Sequence, residues 1–223
     1  MRRASGVFVC LVVLWTASPE AKADDSGSPG GVGIGVSIGT TGVGGELSIR
    51  PIGNLVLRAG GSWFALNHNF PTDDLTFNMK ANLISAGAAL DWHPFANGFR
   101  LSAGGRYHNV DFSGSATGNT FTINGTVYNL ATTGPISGSM KWSNPVSPYL
   151  GLGYDSTHFS DSRWAIAFDF GAIYMGAPTS HVTANSLFVS EADRQDAEKK
   201  LNDAGNAYGR FWPVATIALK FRF

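Results

Sequence analysis

The 223-residue chain has a single cysteine, Cys10, so no disulfide can form within it. That excludes the small stapled scaffolds common among secreted proteins. Charge is also sparse, at 14% of residues against the roughly one-quarter of an ordinary soluble domain. Basic and acidic residues balance at 16 each, and no basic stripe suggests a nucleic-acid partner. Cysteine pairs and clustered ligand spacings are missing, so neither a metal nor a cofactor is expected. Beyond the first 23 residues no apolar run approaches the ~20 residues of a transmembrane helix. A chain that spans a membrane without such a helix must close its strands into a barrel, because only closure satisfies every backbone group away from water.

What is present begins with an export signal. Arg2 and Arg3 precede an almost unbroken apolar run from Val7 to Thr16, and Ala21-Lys22-Ala23 supplies a small-residue cleavage site. Cleavage after Ala23 removes Arg2, Arg3, Lys22 and Glu20, taking the formal charge from zero to about −2. The expected organisation is a signal peptide over 1–23 and one β-domain over 24–223.

The closing stretch carries the clearest pattern. Phe211, Pro213, Ala215, Ile217, Leu219, Phe221 and Phe223 alternate with Trp212, Val214, Thr216, Ala218, Lys220 and Arg222. Period two predicts a strand, and its apolar face with aromatics at both ends suits a strand crossing a bilayer at a tilt. The same alternation recurs over Leu55–His68, Met79–Trp92, Phe99–Phe112, Val146–Tyr154 and Trp164–Tyr174. From Val32 the apolar residues fall on even numbers and after Gly42 on odd ones, which a tight hairpin or a bulge near Thr40 would produce. An even strand number favours the hairpin.

Between these strands lie expected connections at 39–42, 70–78, 113–145 and 177–209 on one side, and shorter ones at 51–54, 93–98 and 155–162 on the other. Within the second long loop, Asn124-Gly125 predicts a two-residue hairpin between Thr120–Ile123 and Thr126–Tyr128. In the last loop, Ser190-Glu191-Ala192-Asp193 resembles a capping box opening a solvated helix towards Gly205, with Ala197, Leu201 and Ala204 as its few apolar residues. The fold class is therefore all-β: an eight-stranded antiparallel transmembrane β-barrel with long extracellular loops, a short helix in the last one, and both termini periplasmic.

Leu90-Asp91-Trp92-His93-Pro94-Phe95, Gly98-Phe99-Arg100-Leu101-Ser102-Ala103-Gly104, Pro148-Tyr149-Leu150-Gly151-Leu152-Gly153 and Phe221-Arg222-Phe223 resemble a family of small proteobacterial outer-membrane barrels. That family is similar in architecture to the OmpA/OmpW-type group. The resemblance implies an outer-membrane location and a monomer in contact with membrane lipid and lipopolysaccharide. It also implies recognition of Phe221 and Phe223 by the barrel assembly machinery during biogenesis. It implies no particular activity.

Three functions compete. A lipid-modifying enzyme needs a nucleophile or base, an orienting carboxylate and an oxyanion partner at one depth. Of the candidates, His68 and His181, with Ser180, are expected at the outer rim, His93 and His158 in inner turns and His108 in the lumen, so they do not form that set. A structural or surface role and a narrow passage for small solutes stand level. Projecting the alternation inward collects Glu46, Asp91 and Asp169 with Arg50, Arg58, Arg100, Arg106, Lys220 and Arg222. Eight strands leave little room, so these charges are expected to pair across the lumen as a plug. The competing expectation hydrates Arg50, Arg100, Lys220 and Arg222 at the periplasmic end.

Overall fold

The computed structural model describes residues 31–71, 75–123, 126–130, 134–142, 144–184 and 189–223. The expected signal peptide over 1–23 and the Asn124-Gly125 turn lie outside the described residues.

The strands are β1 (Val32–Gly39), β2 (Gly42–Ile52), β3 (Leu55–Pro71), β4 (Leu75–Trp92), β5 (Phe99–Gly118), β6 (Thr120–Ile123), β7 (Thr126–Asn129), β8 (Ile136–Trp142), β9 (Val146–Asp155), β10 (Trp164–Tyr174), β11 (Pro178–Thr183) and β12 (Phe211–Arg222), with a helix α1 (Glu191–Tyr208) before β12. Antiparallel pairing runs β1-β2-β3-β4-β5-β9-β10-β12, and β12 pairs back onto β1, closing a ring of eight. The change of parity near Thr40 is a hairpin, with Gly39 opposite Gly42. Gly42 turns it at φ 101°, a conformation that an L side chain rarely adopts.

Outside the ring, Leu57, Ile84, Leu90, Leu101, Leu152, Ile166 and Leu219 form an exposed apolar belt. Trp92, Tyr154, Trp164 and Phe221 border it at one end, and Trp63, Tyr107, Tyr174 and Phe211 at the other. Between Trp164 and Tyr174 β10 runs 11 residues, which matches the ~9–11 needed to cross a bilayer at a tilt. No described helix is long and apolar enough to span.

The far end differs from expectation. Segments 70–78 and 113–145 are largely strand: β3 and β4 pair up to Pro71 and Thr76, β5 and β4 up to Gly118 and Leu75, and β8 extends the upper part of β5. Apolar outward residues end below this level, and with them the alternation that marks the strands in the sequence. The ladder needs no lipid, however, and above the belt the outward side chains are Asn78, Lys80, Ser113, Ser115, Ser137 and Ser139. The 177–209 connection holds β11 in addition to the expected helix, α1.

β11 pairs with β8 through one edge. Its other edge is covered by α1, where Asn202 Oδ1 accepts from Ser180 N at 2.8 Å and Glu198 Oε1 accepts from Val182 N at 2.8 Å. An exposed strand edge is a template for unwanted pairing, and two side chains one helical turn apart replace the absent neighbouring strand. Ser190 caps the helix as expected, accepting from Asp193 N at 3.1 Å. The β6–β7 ribbon docks on that first turn, where the Tyr128 hydroxyl donates to Asp193 Oδ2 at 2.5 Å.

The result is a wall of unequal height. β12, β1 and β2 end near Phe211, Gly39 and Gly42, while β3, β4, β5, β8 and β11 continue upward as a half-cylinder lined by α1.

Candidate functional site

Inward positions of the lower barrel are polar because each strand puts alternate side chains into the lumen. Seven of the eight ring strands send a side chain to one level. From β3, Arg58 donates to both oxygens of Asp91 on β4, at 2.9 and 3.2 Å. Its Nη1 also reaches Asp169 on β10 at 3.1 Å and Glu46 on β2 at 3.4 Å. Arg100 on β5 donates to Asp91 at 3.0 Å and to Asp155 on β9 at 3.2 Å, and lies 3.4 Å from Asp169. Lys220 on β12 bridges Glu46 and Asp155, at 2.6 Å each. Ser102 closes the set by donating to Asp91 Oδ1 at 2.6 Å.

The eighth strand, β1, supplies space. A Cβ at Gly35 would lie 2.8 Å from Lys220 Cγ and 3.2 Å from the Leu219 carbonyl, so the lysine stem can cross only because that position is bare.

This layer contains Glu46, Arg58, Asp91, Arg100, Asp169 and Lys220 from the sequence-derived set. Arg100 and Lys220 are each 1% exposed, which replaces the expectation that they are hydrated at the rim. Three expected members sit elsewhere. Arg106 lies above the layer, donating to Ser85 Oγ at 3.3 Å with its guanidinium over the Tyr149 ring. Arg50 donates to the carbonyls of Gly53 and His158 and covers the Phe159 ring. Arg222 donates to the carbonyls of Thr157 and Ser160.

Asp155 was missed. Its place in Tyr154-Asp155-Ser156-Thr157 reads as a turn. In the structure it ends β9 facing inward, held by Thr157 N at 3.0 Å and Thr157 Oγ1 at 2.5 Å. The usable signal was its parity: Ser147, Tyr149 and Asp155 share the inward register of β9. With Asp155 included, the layer holds four carboxylates against Arg58, Arg100 and Lys220, and Arg106 just above brings the charge to balance.

Above the charges lies an apolar layer of Leu83, Val110, Tyr149, Ile173, Met175 and Val214, against which Phe64, Phe112, Trp142 and Trp212 pack. Phe112 stacks on Trp212 with centroids 6.1 Å apart, and the Trp142 indole donates to the Gly209 carbonyl at 2.9 Å. Beside the ionic layer remains a cavity of about 30 Å³ bordered by Glu46, Arg58, Arg106, Tyr149 and Asp169 and by Ser37, Thr41 and Ser62 on the shorter strands. That is room for a water or two.

The histidines are dispersed. His93 and Asn97 O lie 2.7 Å apart, and the His93 ring packs at a tilt against Phe159. His158 meets Ser48 Oγ at 3.0 Å. Burial pushes the pKa of both below the usual imidazole value, that of His158 to about 4. His108 is buried on β5 and His68 packs on Phe70. His181 faces out, 3.9 Å from Glu198, while the neighbouring Ser180 is buried. No three His, Cys, Asp or Glu side chains among the described residues are grouped to hold a metal.

A closed ring with a lipid-facing belt, two aromatic borders and a charged lumen defines a transmembrane β-barrel of the outer-membrane type. Comparison with solved structures agrees. The chain is similar to Acinetobacter baumannii CarO at 21% identity and TM-score 0.62, covering 86% of this chain and 98% of that one. The A. baumannii CarO2 structure matches at 23% identity with the same TM-score and coverage. No family model matches the chain, and no curated protein does.

Proposed function

We propose that this protein is a closed, monomeric barrel of the outer membrane with a structural or surface role, not an open pore and not an enzyme. One observation carries the reading: the lumen is blocked twice, by a cross-strand ionic layer and by an aromatic layer directly above it. Purified protein in planar bilayers should show no steady conductance. A large, stable conductance of either selectivity would overturn the plug.

The architecture fits the OmpA/OmpW-type group, and residues 1–23 fit an export signal. Short turns at one end and tall strands with a helix at the other support a periplasmic turn end and an external loop end. Outward Lys80 and Lys141 above the belt suit contact with lipopolysaccharide phosphates, and the belt itself suits lipid. Phe223 is exposed beside Phe221, with ring centroids 5.1 Å apart, a placement open to the assembly machinery. Deleting Phe223 should slow membrane insertion, measured as the rate of appearance of the folded, heat-modifiable form. Insertion at the wild-type rate would refute that role.

A further inference from the structure

The half-cylinder above the belt carries an inner face that neither plug layer uses. Register places Phe70, Phe77, Ala116 and Ile136 in one row across β3, β4, β5 and β8. The next row down is His68, Met79, Gly114, Gly138 and Val182. All of these positions have inward parity, and α1 closes the side with Ala197 and Leu201. All of them but His68 border an open cavity of about 820 Å³ whose surface is mainly apolar, with Asn78, Ser115, Ser137 and Lys200 as its polar lining residues.

Two features show that the cavity is built into the sequence. At the centre of the second row, Gly114 and Gly138 are direct partners without side chains. An added Cβ would meet nothing nearer than a backbone oxygen at 3.7 Å for Gly114 and 4.0 Å for Gly138, so neither glycine is demanded by packing. Phe70, Met79 and Leu201 point into this space yet remain 45%, 48% and 40% exposed, far from the lipid belt. Ala116, Ile136 and Val182 form a small buried cluster with Phe77 and Ala197 packed against it, and the exposed apolar side chains left beside that cluster mark a ligand site. The volume falls within the ~300–1,000 Å³ of small-molecule sites.

The cation on its lining is Lys200, on the same helix, whose Nζ lies 2.7 Å from Asp196 and whose side chain is mostly exposed. We propose that this cavity binds a long-chain carboxylic amphiphile, its alkyl chain against Phe77, Met79, Ile136 and Leu201 and its carboxylate at Lys200. The site lies above the aromatic layer, so binding requires no passage through the barrel.

The test uses the full mature chain in lipid nanodiscs and a long-chain fatty acid carrying a diazirine in its chain, with adducts mapped by mass spectrometry. Labelling is expected at Phe77, Met79, Ile136 and Leu201, alongside background labelling of belt residues such as Leu57 and Ile84. Gly138→Leu, which fills the cavity, should cut the cavity adducts about tenfold, a loss of ~1.4 kcal/mol in binding. Belt labelling should stay constant and so report that the barrel is folded. Lys200→Glu should weaken labelling by the acid and spare that by the matching fatty alcohol. Adducts confined to the belt, or cavity adducts unchanged in Gly138→Leu, would overturn the proposal. Equal loss of acid and alcohol labelling in Lys200→Glu would overturn the carboxylate assignment.

Discussion

The lower and upper parts of the same strands obey one geometry and opposite chemistry. On β4, Leu90 faces out and Asp91 in near the turn end, whereas Lys80 faces out and Met79 in near the loop end. On β5 the pairs are Leu101 out with Arg100 in, then Ser115 out with Ala116 in. Register runs unbroken from Leu75 to Trp92 against β5, so no bulge has turned the strand over. What changes is the solvent: lipid surrounds the lower segment, and water and polar headgroups surround the upper one. Hydrophobic alternation therefore reports which medium each face meets, and pairing continues across the change.

The sharpest way to break this comparison is to damage each region equally. Asp91 is fully buried and accepts from Arg58, Arg100 and Ser102. Asp91→Ala leaves two buried guanidinium groups with fewer partners, a change that typically costs ~3–5 kcal/mol. Met79→Ala removes an inward side chain that is half exposed, and should cost about 1 kcal/mol or less. Unfolding midpoints in detergent, followed by circular dichroism, should separate the two variants clearly. Equal losses would mean that the ionic layer is hydrated and the lumen less dry than its geometry implies.

That contrast also explains which features were legible in the sequence. The ring, its eight strands and the inward charges follow from period two, because lipid demands apolar residues on one face and closure leaves the other polar. Glu46, Arg58, Asp91, Arg100, Asp169 and Lys220 could be collected by parity alone. Parity gives direction but not height along the barrel, which is why Arg50, Arg106 and Arg222 were grouped with residues they do not touch. Asp155 was hidden because a tyrosine-aspartate-serine-threonine stretch has the composition of a turn. The upper halves of β3, β4 and β5 were hidden by their polar outer face, and the covered edge of β11 could not be read because its partners, Glu198 and Asn202, belong to a helix.

The edge offers a medium-sized test. Removing Glu198 and Asn202 together by Ala substitution strips both acceptors from the Ser180 and Val182 amides, and each part-buried donor left unsatisfied costs ~1–3 kcal/mol. Local opening of α1 should follow, leaving the barrel below intact. Protease added to intact cells should cut within 193–200 in the wild-type protein, faster in the double variant, with the barrel core still resistant. Cutting seen only after the outer membrane is permeabilised would place the loop end on the periplasmic side. Identical rates in both proteins would mean that α1 is held by its apolar contacts, not by these two hydrogen bonds.

The smallest expected effect lies at the opposite end. His158 sits in the turn after β9, 1% exposed, between Ser48 and a surround containing Asp155, Lys220, Arg222 and Arg50. Burial lowers its pKa from 6.5 to about 4, with the nearby cations adding to the effect and Asp155 opposing it. A folded-state value below the unfolded one means that the unfolded chain binds the proton more readily. The neutral ring therefore contributes its full stability above about pH 6.5, and that contribution is lost progressively as the pH falls towards 4. Between pH 7 and pH 5.5 the loss should be about 1 kcal/mol, and His93, shifted in the same direction, adds to it. His158→Gln keeps a hydrogen-bonding amide near Ser48 but cannot titrate. Its unfolding midpoint should fall less than that of the wild type across this interval, and parallel pH profiles would show that the acid sensitivity arises elsewhere in the barrel.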